Sequence, residues 1–124
     1  MTKALDLEAI KAKAKPKTLK IDLPEKVGFV YGRQWSLRES DEIQAIAKKL
    51  ATTEGAENEE HERQWRELVV KYGICNEAGA PLFDDNTIED MYELPTEVVG
   101  CMVTGAVKAN GFDLAAAQEQ DSPN

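Results

Sequence analysis

Few residues in this chain are of types that could do chemistry: one histidine, His61, two cysteines, Cys75 and Cys101, and a run of oxygen ligands from Asp84 to Asp90. A zinc-protease helix needs a second histidine four residues along, whereas His61 sits in Glu59-Glu60-His61-Glu62-Arg63, the composition of a solvated helix face. A cysteine–histidine pair would need a thiolate, yet both cysteines stand in apolar stretches, where a thiol behaves as a small inert hydrophobe. Their spacing matches no structural zinc pattern. The stretch Asp84-Asp85-Asn86-Thr87-Ile88-Glu89-Asp90 is the best hard-cation candidate, but it lacks the alternating acids, central glycine and terminal glutamate of a calcium loop. Asp84 therefore reads as a helix cap with acids in the first turn. The eight glycines form neither a dinucleotide fingerprint nor a P-loop. No catalytic, metal or cofactor residue is expected, and an enzyme built on Asp84, Asp85 or Cys75 ranks well behind a binding protein.

Charge narrows the partners. Residues 1–33 hold eight basic and four acidic residues, net +4, and residues 34–124 hold seven and nineteen, net −12, for −8 over the chain. An acidic surface repels phosphate, so nucleic acid is not an expected partner. No apolar run approaches the roughly 20 residues that cross a bilayer, and no basic-then-apolar leader opens the sequence, so neither membrane nor export is expected. Two cysteines fit a reducing cytosol. The length of 124 residues suits one core that needs no disulfide.

The elements that must position any site follow from periodicity. Residues 1–17 form a basic head, flexible or short-helical: Ala4 to Lys15 favours a helix with few bulky apolar residues, and Pro16 stops it. Lys11, Lys13, Lys15, Lys17 and Lys20 have no aromatic residue among them and read as a solvated head or a docking arm for an acidic partner. From Thr18 the period becomes two, with Leu19, Ile21 and Leu23 alternating with Lys20 and Asp22. After the turn-like stretch Pro24 to Gly28, alternation resumes with Phe29, Tyr31, Arg33 and Trp35 on one face and Val30, Gly32 and Gln34 on the other. A β-hairpin over 18–35 is predicted, and its apolar face must lie on helices or on another protein.

Helices follow over 36–111. Ser36 and Glu39 form a capping-box pattern before Ile43, Ile46, Ala47 and Leu50. Glu54 to Glu60 reads as a linker, Asn58 as the cap of a helix bearing Trp65, Leu68, Val69 and Tyr72, and Gly73 as its left-handed stop. Ile74 and Cys75 pass through the interior before a tight turn from Asn76 to Pro81. A short helix capped by Asp84 carries Ile88 and Met91. A last helix has proline in its first turn, a face of Val99, Met102, Val103 and Ala106 supported by Val98 and Val107, and a stop at Asn110-Gly111. Gly100 and Gly105 inside it imply close helix packing or a shallow groove for a partner helix. The fold class is α+β and predominantly helical: a hairpin and about four helices in one globular domain over 18–112, with a disordered polar tail over 113–124.

Phe29, Tyr31 and Trp35 are the candidate protein-binding residues, because aromatic side chains offer large contact area at low entropy cost. A small domain also needs its aromatics inside, which favours packing them on the helices.

The stretch from Val70 to Gly111, with Gly73-Ile74-Cys75-Asn76-Glu77, Gly79-Ala80-Pro81-Leu82-Phe83, Asp84, Asp85, Ile88, Glu93-Leu94-Pro95, Val98-Val99 and Asn110-Gly111, resembles the tail assembly chaperones of long-tailed, lambda-like bacteriophages. The hairpin leading into Ser36, Arg38 and Glu39 is similar to the opening of that family, so the resemblance spans about residues 18–112. It implies a non-enzymatic protein of the host bacterial cytoplasm that binds the tape measure protein, recruits tail tube protein and is absent from the mature virion. Self-association is left open. In many members a ribosomal frameshift appends a second domain, and here the segment after Phe112 is where one would start. The alternative is a small acidic regulatory module, an inhibitor or a mimic of nucleic acid.

Overall fold

Alternation at Leu19 and Ile21 builds β1 (Thr18–Asp22), and alternation at Phe29 and Tyr31 builds β2 (Phe29–Arg33). The two pair antiparallel in the register Thr18↔Arg33, Leu19↔Gly32, Lys20↔Tyr31, Ile21↔Val30 and Asp22↔Phe29. Opposite residues share a face, so Leu19, Ile21, Val30 and Gly32 turn to one side and Lys20, Asp22, Phe29 and Tyr31 to the other. The structure is a computed structural model that describes residues 4–111, so the polar tail expected over 113–124 lies outside it. The connection between the strands is a tight turn in which Glu25 and Lys26 hold positive φ of 55° and 61°. Ile74 and Cys75, expected only to cross the interior, form a third strand, β3 (Ile74–Cys75), with Tyr31↔Cys75 and Gly32↔Ile74 as partners. The sheet order is β1-β2-β3, which leaves β1 at an edge.

The helices complete an α+β, mainly helical architecture. In the basic head, α1 (Leu7–Lys13) is capped by Asp6, whose carboxylate accepts from the Ala9 N–H at 2.9 Å. The capping box at Ser36 and Glu39 is present and opens α2 (Leu37–Thr52), which buries Ile43. Next, α3 (Ala56–Gly73) starts earlier than the acidic stretch suggested. Gly55, with φ 83°, occupies the cap position assigned to Asn58, and the acids of the expected linker instead fill the first turns, where the helix N-terminus favours negative charge. Asp84 organises a turn, accepting from the N–H groups of Asn86 and Thr87 at 2.8 and 2.9 Å, and the 3₁₀ helix Ile88–Glu93 begins only after it. Pro95 stands at the cap of α4 (Thr96–Ala109), one step before the first turn.

The core gathers Ile21, Ile43, Val69, Val70, Ile74, Ile88, Met91, Val98, Met102, Ala106 and Val107. The sheet's inner face lies on α4, and α3 packs against both α2 and α4. Two glycines have reasons other than those expected. Gly73 does not stop α3 with a left-handed turn; a Cβ there would meet the Ala106 Cβ at 2.7 Å and Trp35 Nε1 at 2.9 Å. Gly105 lets α4 approach the strand rather than a helix, since a Cβ there would fall 2.4 Å from Ile21 Cδ1. Gly100 meets nothing within 4 Å and opens onto a groove.

Candidate protein-binding surfaces

The three aromatics singled out in the sequence do not share one face. Phe29 and Tyr31 project from the outer face of the sheet, away from α4, with ring centroids 5.7 Å apart in an edge-to-face pair. Lys20 Nζ sits 4.5 Å from the Phe29 ring centre, and Phe29 remains 53% exposed. The expectation that helices cover these aromatics fails for Phe29 because the register commits both it and Tyr31 to the face opposite α4. Trp35 lies past the end of β2 and packs against the core, with its indole over Gly73.

A polar clamp holds that seam. The Trp35 N–H donates to Asn110 Oδ1 at 2.7 Å, and Asn110 Nδ2 donates to the carbonyls of Arg33 and Ala106 at 3.1 and 2.9 Å. Arg33 Nη2 donates to Glu39 Oε2 at 2.8 Å, while Glu39 Oε1 accepts from the Ser36 N–H at 2.9 Å. One carboxylate thus caps α2 and ties it to β2.

The second surface is a groove at Gly100, one of the two readings its sequence position offered, but its valine walls were not foreseen. Val99 and Val103, assigned to the core face of the last helix, are only half-buried and line a groove of about 460 Å³ between α3 and α4. Its other apolar walls are Trp65, Met91, Tyr92 and Leu94, and Gly100 leaves it open. The core side of α4 is rotated toward Val98, Met102, Ala106 and Val107, because the sheet and α3 meet the helix on that side. At the rim, Tyr92 donates its hydroxyl to Glu67 at 3.0 Å, and burial, together with that bond, pushes its pKa up to about 12.

The residues of chemical type singled out in the sequence lie apart from the groove between α3 and α4. Cys75 is fully buried, and burial pushes its thiol up against a small opposing pull from Arg33. Backbone and hydroxyl bonds from Asn86 and Thr87 hold the Asp84 carboxyl below its ordinary range. Among the described residues no group of three or more His, Cys, Asp or Glu is placed to hold a metal ion, and no helix is long and apolar enough to cross a membrane.

A small three-stranded sheet laid on α4, with α2 and α3 packed beyond it, defines an α+β fold. That fold is shared with the bacteriophage HK97 tail assembly chaperone: the structures superpose with a TM-score of 0.58 over 76% of this chain and 85% of that one, at 16% identity. No protein family model matches the sequence, and no curated protein matches it.

Proposed function

We propose that this chain is a phage tail assembly chaperone that binds the tape measure protein, recruits tail tube subunits in the host cytoplasm, performs no catalysis and is left out of the finished virion. The single observation that carries the reading is the shared fold with the HK97 chaperone, which covers most of both chains. The physical fit is that of a holdase. Phe29, Val27 and Leu37 are exposed large apolar side chains, and the groove between α3 and α4 offers a further apolar lining. Such surface binds amphipathic segments, while a net charge of −8 keeps the complex dispersed.

The test is co-expression with a tape measure protein from the genome that encodes this chain. The reading requires that the tape measure protein be recovered in the soluble fraction with this chain and pelleted without it. Equal solubility in both cases would overturn it.

A further inference from the structure

Strand β1 forms one edge of the sheet, with β2 as its sole strand neighbour among the described residues. The bonds from Leu23 N–H to the Gly28 carbonyl (2.9 Å) and from Gln34 N–H to the Lys17 carbonyl (3.0 Å) set the phase of the β1–β2 ladder. In that phase the odd-numbered residues of β1 turn their backbone groups to β2, and those of Thr18, Lys20 and Asp22 point to the open side. No proline or bulge blunts the strand between Thr18 and Asp22. Read in either direction, Leu19-Lys20-Ile21-Asp22-Leu23 gives apolar, charged, apolar, opposite charge, apolar.

We propose that two copies of this chain pair antiparallel through β1 about a twofold axis at Ile21, joining their sheets into one of six strands. In that register Lys20 of each copy stands opposite Asp22 of the other. Both are at hydrogen-bonding positions, so the two pairs make four backbone bonds and two ion pairs. Within one chain Lys20 Nζ stands 3.8 Å from Asp22 Oδ1, and with side chains 56% and 82% exposed this loose ion pair can be exchanged for the two across the axis. Thr18 falls opposite Pro24, which has no N–H, and the ladder ends there. On the inner face Leu19, 37% exposed, meets Leu23 of the other copy.

The helices beneath agree with this arrangement. Beside β1 lies an open groove of about 630 Å³, whose far wall is the small-residue side of α4, Gly100, Cys101 and Thr104, with Glu97 toward one end and Lys108 toward the other. A twofold axis normal to the sheet brings the two α4 helices together antiparallel across that groove. Small side chains permit close approach, and Glu97 of each copy comes to the end that holds Lys108 of the other. The proposal is independent of the chaperone reading.

The experiment measures the mass of the purified full chain by sedimentation equilibrium over a range of concentrations and salt. A dimer that weakens with salt is expected. Lys20→Asp and Asp22→Lys each place like charges opposite one another twice, and each should raise the dissociation constant by roughly tenfold. The double variant K20D/D22K restores opposite charges and should dimerise like the parent. An equimolar mixture of the two single variants should form a heterodimer, which also shows that both are folded. A chain monomeric throughout, an association that the single reversals leave unchanged, or a mixture that stays as weak as its components would each overturn the pairing.

Discussion

Two glycines in one helix should respond oppositely to the same substitution. Replacing glycine by alanine inside a helix gains about 0.5–1 kcal/mol from backbone entropy wherever the new methyl group has room. Gly100 has that room, with nothing within 4 Å of a built Cβ, so Gly100→Ala should stabilise by about 0.5–1 kcal/mol. At Gly105 the same Cβ falls 2.4, 2.5 and 3.0 Å from Cδ1, Cγ1 and Cγ2 of Ile21. Ile21 is β-branched and buried on a strand, so no rotation of χ1 clears both γ carbons, and the hairpin must lift from α4. Overpacking of this kind costs about 1–3 kcal/mol, which leaves Gly105→Ala destabilised by about 1–2 kcal/mol after the helical gain.

The two variants should therefore differ by about 2 kcal/mol, or roughly 8 °C in Tm for a chain of this size. Urea and thermal melts followed by circular dichroism read this directly, at a protein concentration low enough that association adds nothing. Ile21→Val removes the Cδ1 methyl, so the double variant G105A/I21V should lose less than the two single losses combined. A Gly105→Ala variant as stable as the parent, or one indistinguishable from Gly100→Ala, would refute the close approach of α4 to β1.

Asn110→Ala removes three hydrogen bonds and strands the Trp35 N–H and Arg33 carbonyl in a half-buried seam, so it should cost about 2–3 kcal/mol in the same melts, with Asn110→Asp intermediate. Asp84 has a folded pKa below its unfolded one, so the stability it adds is present above the ordinary carboxylate range and is lost as pH falls through the lowered value. The stability gap between the parent and Asp84→Ala should thus hold at neutral pH and close on acidification, and a gap unchanged from neutral to strongly acid pH would contradict this. With a thiol reagent the half-exposed Cys101 should be modified first, while the fully buried Cys75 reacts only as the chain unfolds, which a labelling time course with and without urea would show.

What the sequence determined by itself was local. The alternation at Leu19 and Ile21, the Ser36–Glu39 capping box, and the helical stripes through Ile43 and Val69 depend on neighbours within a turn or two of chain, so hairpin and helices were legible before any packing was known. The α+β class followed from their order. The tertiary structure alone decided which partner each surface meets. Two residues at Ile74 and Cys75 carry no periodicity, and they become a strand only because β2 passes beside them. Gly73 reads locally as a stop, yet its reason is Ala106, thirty-three positions away in the sequence. The aromatic trio divides because the register turns Phe29 and Tyr31 outward, while Trp35 is caught by Asn110 beyond the last helix. Val99 and Val103 pack at the margin of the core and also form a groove wall, because the sheet and α3 take the adjacent side of α4. Short-range order is set by backbone sterics and caps, whereas the choice between core and surface is a competition among distant segments for the same face, and only the folded chain resolves it.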